Sequence, residues 1–137
     1  MGGFQWPVRV YYEDTDRAGV VYYANYLRFM ERARTEWMRE LGFEQDQLLS
    51  EAGVLFVVRS ARLDFLAPAR FNDRLTVSAE VLERGRASLT FSQTVARADA
   101  PHTPLCSGQV KVVCVDGASF RPRPIPDFML KEFPDVD

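Results

Sequence analysis

The sequence predicts an α+β fold in which a five-stranded antiparallel sheet surrounds one long central helix. Three observations carry that prediction. Apolar residues between positions 24 and 41 recur with the period of a helix. Four later runs alternate apolar and polar residues, as strands do, and short polar turns join them. The 137 residues are 47% hydrophobic and 26% charged, a balance that suits a globular chain with a substantial core.

The elements follow in order. "VRVYYE", residues 8 to 13, places Val8, Val10 and Tyr12 on one face and Arg9, Tyr11 and Glu13 on the other, which predicts a strand covered on one side. "DTDRAG" is then a polar loop, with Gly19 free to adopt a backbone angle that other residues avoid. In the helix, Tyr26, Met30, Ala33, Trp37 and Leu41 share a face. Glu31, Arg32, Arg34, Glu36 and Arg39 are expected largely on the others, and Gly42 is placed to stop it. "FEQDQLLSEAG" reads as a short second helix closed by Gly53.

"LFVVRSARLDFLAP", "DRLTVSAEVLE", "ASLTFSQTVARA" and "CSGQVKVVCVD" are the remaining strands, and the prolines of "FRPRPIPDFMLKEF" hold the tail extended before a final helical turn. No repeat, linker or low-complexity segment divides the chain, so residues 1–137 are expected to form a single domain. The long helix is apolar on more than one side. A sheet that curls around it buries more of that surface than a flat one, and this arrangement is the hotdog architecture.

Charge and motifs narrow the function. Lysine plus arginine number 17 against 19 acidic residues, which argues against a nucleic-acid binder. The N-terminus has no basic region followed by an apolar core, Trp6 stands where a myristoylation signal wants Ser or Thr, and no apolar run is long enough to span a membrane. A cytoplasmic protein is expected. Cys106 and Cys114, if on one strand, are roughly 26 Å apart, too far for a disulfide, so both read as buried thiols. His102 reads as a loop residue between prolines. With no G-x-S-x-G elbow and no zinc-ligand spacing, a serine hydrolase or a metal centre is disfavoured, and no cofactor is expected.

The acidic loop is the informative stretch. It sets Asp14 and Asp16 just before the long helix, whose N-terminus offers unpaired N–H groups and partial positive charge. A carboxylate beside an oxyanion donor is what acyl transfer needs. Carboxylates are ionised at neutral pH and can attack an activated acyl group such as a thioester, whereas a hydroxyl needs an adjacent base. Aspartates also cap turns. Asp14 is expected to order the loop, and an acting carboxylate in this stretch serves either as nucleophile or as general base on water. Glu31 is a rival acid on the helix, in an "ERAR" context that suits an ion-paired face better.

The run "YYEDTDRAGVVYYANYLRFMERARTEW" resembles the signature of the 4-hydroxybenzoyl-CoA thioesterase group of hotdog enzymes. "ERARTEW", "FVVRSARLDFLAPAR", "VCVD" and "RPRPIP" are similar to its Tol–Pal system-associated acyl-CoA thioesterase branch, and the likeness spans nearly the whole chain. That branch usually carries His where this chain has Tyr23, as the hydroxybenzoyl branch does. The resemblance implies that Asp16 is the catalytic carboxylate and the backbone N–H of Tyr23 the oxyanion donor. It further implies Arg86 as a contact to coenzyme A phosphate. Tyr22 is a candidate to line the acyl group, as are Leu55, Phe56 and Val57, which core packing explains equally well. The expected partners are an acyl-CoA substrate and a second copy of the chain, in a homodimer or a dimer of dimers with sites at the subunit interface. The alternative is a non-catalytic CoA- or acyl-binding module on the same pocket. Hydratase chemistry suffers from the lack of a histidine near the helix start.

Overall fold

A computed structural model describes residues 3–136. Gly2, without a lipidation signal on sequence grounds, lies outside the described residues.

Five antiparallel strands form one sheet in the order β1-β3-β4-β5-β2: β1 Phe4–Arg9, β2 Val54–Phe65, β3 Arg74–Arg84, β4 Ser88–Arg97 and β5 Pro104–Asp116. The central helix α1 is Asn25–Glu40 and packs against β3, β1 and β4. Inward residues of the strands (Leu75, Val77, Leu89, Phe91, Val95, Val110, Val112) and of the helix (Phe29, Met30, Ala33, Trp37) make one core. In β3 and β4 the alternation in the sequence therefore sorted core from surface correctly. Register shifts between Val58 and Ser60, Val81 and Glu83, and Val95 and Ala96 are bulges of the kind that bend strands.

Helix α1 ends where expected. Gly42 has φ 97°, and its N–H and that of Phe43 donate back to Arg39 and Met38, closing the last turn. The second helix is shorter than the sequence suggested: α2 is Gln45–Gln47, followed by a wider turn over Leu48–Ala52 and Gly53 at φ 70°. The tail runs beside β5, with Val115 bridged to Pro122, before α3 Asp127–Leu130. No helix among the described residues is long and apolar enough to cross a membrane.

β1 departs from expectation. It starts at Phe4 and stops at Arg9, and Tyr12–Asp14 is a 3-10 turn rather than a strand end. Asp14 Oδ2 accepts the Tyr11 N–H at 2.8 Å, and this local bond turns the chain away from the sheet. Tyr12, assigned to the covered face by alternation, consequently stands 78% exposed.

Candidate active site at the start of the central helix

The acidic loop is a tight hairpin. Thr15 bridges Val21, the Asp16 N–H donates to Val20 O at 2.9 Å, and the Gly19 N–H returns to Asp16 O at 3.0 Å. Gly19 sits at the tip with φ 79°, a conformation that costs a side-chain-bearing residue about 1 kcal/mol or more. A second loop clamps the hairpin: Val21 N–H donates to Ala69 O at 2.8 Å, and Val20 bridges Arg70. Ala69 is itself held by its N–H to the Tyr26 hydroxyl at 3.1 Å. Burial pushes the Tyr26 phenol up from its ordinary value, the Ala69 bond opposing.

The two aspartates differ in burial and in bonding. Asp14 is buried; its carboxylate holds Tyr11, and its carbonyl accepts both the Tyr22 N–H at 2.9 Å and the Asn25 Nδ2 at 3.0 Å. It ties the hairpin to the first residue of α1. Asp16 is exposed, and one oxygen, Oδ1, accepts the Ala18 N–H at 2.9 Å. Its other oxygen has no partner among the described residues.

The chain enters the helix through a turn in which Asn25 N–H donates to Tyr22 O at 2.8 Å. Among the described residues, the amides of Tyr23 and Ala24 have no acceptor. These are the orphan donors that a helix start leaves over. Around them lies an exposed aromatic surface. Tyr22 and Tyr23 are 4.8 Å apart between ring centres, Tyr23 meets Phe65 edge-on at 6.0 Å, and Tyr12 stacks on Phe71 at 4.2 Å.

The remaining candidates are dispersed. Arg86 lies exposed in the β3–β4 turn, its carbonyl accepting the Ile125 N–H at 3.0 Å. The tail thus brings Arg121 and Arg123 toward the same end of the sheet. Arg123 is engaged with Gly53 O at 3.1 Å and Asp116 at 3.6 Å. Val57 pairs across from Val113. Strand alternation gives it the face opposite Phe56 and Val58, and those two line a cavity against α1. Glu31 is exposed and accepts from the Thr35 hydroxyl at 2.7 Å. Cys106 and Cys114 are free and buried, and burial holds the Cys106 thiol up at about 12. Thiol chemistry at neutral pH is closed to it.

Comparison with known proteins gives these residues a context. The chain matches the thioesterase-like superfamily over residues 10–133. It belongs to that superfamily. It is 46% identical over 130 residues, 95% of each chain, to the acyl-CoA thioester hydrolase YbgC of Escherichia coli O6:H1. It is also 46% identical to the acyl-CoA thioesterase YbgC of Haemophilus influenzae, covering 90% of this chain and 89% of that one. The fold is similar to the crystal structure of a 1,4-dihydroxy-2-naphthoyl-CoA thioesterase from Synechocystis, with TM-score 0.86, 25% identity, and 94% and 93% of the two chains covered. The likeness read from the acidic loop and the later motifs is borne out.

The sequence missed one polar group of the interior. Arg34, expected on the charged side of α1, is 9% exposed and donates to Gln93 Oε1 at 2.9 Å. Its signal was present in the column Tyr26, Met30, Arg34, Met38, where each residue follows the last by one helical turn.

Proposed function

We propose that this thioesterase-superfamily chain hydrolyses acyl-CoA thioesters, with Asp16 as the reacting carboxylate and the Tyr23 backbone N–H as the oxyanion donor. The observation that carries the assignment is the division of labour at the helix start. Asp14 spends its carboxylate and carbonyl on holding Tyr11, Tyr22 and Asn25, while among the described residues Asp16 keeps an oxygen unbonded and Tyr23, seven residues on, keeps an amide unbonded.

The thioester carbonyl then lies with its oxygen toward the Tyr23 N–H. The Asp16 carboxylate attacks the carbonyl carbon, the C–S bond breaks, and CoA leaves as the thiolate; water then cleaves the acyl-aspartyl anhydride to the free acid and regenerates the carboxylate. Alternatively Asp16 takes a proton from water as that water attacks, giving acid and CoA in one sequence. A single oxyanion donor is worth roughly 3 to 4 kcal/mol in such a step. Tyr22 flanks the acyl group, with Val57 further along β2, and Arg86 meets a CoA phosphate, for which an arginine fork is suited.

Two features support a homodimer, with pairing into a tetramer as its extension. β2 is a twelve-residue strand at the sheet edge, a length that chains seldom leave uncovered, and the aromatic surface at the helix start lies open in one chain. A second copy covers both and closes the site. The single-domain organisation and a cytoplasmic location, where CoA esters and reduced thiols coexist, complete the reading. The decisive measurement is thiol release from a panel of acyl-CoA esters by the wild type and Asp16→Asn. Turnover by the wild type and its loss in a folded variant is expected. Wild-type-like turnover in Asp16→Asn refutes the assignment, and ligand binding without any thiol release refutes hydrolysis altogether.

A further inference from the structure

Midway along α1 the helix carries a buried cation that no acid among the described residues neutralises. Arg34 Nη1 donates to Gln93 Oε1 at 2.9 Å, and Gln93, 0% exposed, is locked in turn by its Nε2 to Met30 O and Ser78 O, both at 3.0 Å. Among the described residues no carboxylate comes within ion-pair distance of Arg34. A guanidinium has five N–H donors, and no side-chain nitrogen or oxygen among the described residues is both sealed and unbonded. The remaining Arg34 donors therefore reach open volume. That volume is a cavity of about 100 Å³ between α1 and the start of β2, with Glu31, Arg34, Thr35 and Met38 on the helix side and Phe56 and Val58 on the strand side.

Buried charges are ordinarily paired, because an unpaired one loses its hydration without compensation. Burial accordingly lowers the Arg34 affinity for its proton, with Glu31 acting in the opposite sense from a distance. Glu31 does not supply the missing partner, since Thr35 Oγ1 holds its carboxylate at 2.7 Å and it remains exposed at the rim. The cavity is several times larger than a single water requires. Its apolar walls favour an anion with a compact hydrocarbon body over a bare inorganic one.

We infer that the cavity between α1 and β2 is a carboxylate-binding site anchored by Arg34. Residue 34 lies nine residues beyond Asn25, about 14 Å along the helix axis, so this site is separate from the Asp16 loop. The carboxylate has two sources: a free short-chain acid, or the far end of an acyl group whose thioester sits at the helix start. Only the second source rests on the proposed hydrolase activity.

Calorimetry with butyrate and its neutral isostere butyramide tests the site without turnover. Butyrate is expected to bind the wild type at least tenfold more tightly than butyramide. Arg34→Met should abolish that difference, and Glu31→Gln should tighten butyrate several-fold by removing the rim's negative charge. Should Arg34→Met fail to fold, Val58→Trp, at a position 53% exposed on the cavity wall, blocks the site with Arg34 in place and should weaken butyrate at least tenfold. Equal affinity for butyrate and butyramide, or butyrate binding unchanged by Val58→Trp and Glu31→Gln, overturns the inference. The source follows from kcat/KM for glutaryl-CoA against valeryl-CoA. A wild-type preference for glutaryl-CoA that falls at least tenfold in Val58→Trp assigns the acyl end, and an unchanged ratio with butyrate bound assigns the free acid. Hydrolysis of neither ester excludes the acyl-end source and leaves the calorimetric result standing.

Discussion

The start and the middle of helix α1 solve opposite problems. At the start, backbone groups make the site: Asp14 O, Tyr22 N–H and the turn into Asn25 fix positions within a dozen residues of one another, and the groups left unbonded face solvent. In the middle, side chains from distant strands make it. Arg34 meets Gln93 across 59 residues of sequence, and Gln93 reaches back to Met30 and Ser78. The first region is cheap to keep polar because water satisfies what the protein does not. In the second, distant strands satisfy Gln93 and one Arg34 nitrogen, and the rest of the guanidinium looks into the cavity. A reactive group belongs in the first kind of place and a selective contact in the second.

The largest expected effect tests the helix start. Asp16→Asn preserves the acceptor for the Ala18 N–H but removes the charge, so kcat should fall by about a thousandfold or more while the melting temperature stays within a degree or so of wild type. Both quantities are read on the same preparation. The mirror experiment in the middle of the helix should do the reverse. Gln93→Leu strands a buried guanidinium and two carbonyls and should cost about 3 kcal/mol or more in urea unfolding. Replacing both partners, Arg34→Met with Gln93→Leu, should recover much of that loss, because the uncompensated charge is gone.

A smaller effect joins the two regions. Asp14→Ala removes the Tyr11 bond and leaves a turn without its acceptor, with an expected loss of about 1 to 2 kcal/mol. Activity should drop as well, since the hairpin that carries Asp16 is anchored through residue 14, and stopped-flow thiol release distinguishes this from the charge loss in Asp16→Asn by its incomplete size. The smallest is Arg86→Ala. An exposed phosphate contact acts mainly on binding, so KM for acyl-CoA should rise several-fold with kcat little changed, and KM for an acyl thioester lacking the nucleotide should not move.

Legibility followed the same boundary. The helix span, its glycine stop and the inward residues of β3 and β4 could be read because each depends on a short repeat in the sequence. The polar loop that carries Asp16 and the orphan amides of a helix start could be anticipated because their bonds close over a few residues, although its hairpin form could not. The end of β1 was misread, since alternation carried on through Tyr12 while a single Asp14 side-chain bond had already turned the chain. Arg34 was misread for the opposite reason. Its charge argued for solvent, although the helical column from Tyr26 to Met38 runs straight through it.

By itself, then, the order of residues determined the periods, the turns and the spacing of a carboxylate from a helix start, because those rest on bonds and steric limits between near neighbours. The tertiary structure alone decided that Gln93 would meet Arg34, that Phe56 and Val58 rather than Val57 would face the helix, and that a cavity would remain between them. Those outcomes depend on the register of strands far apart in sequence, where a shift of one residue turns every side chain to the other face.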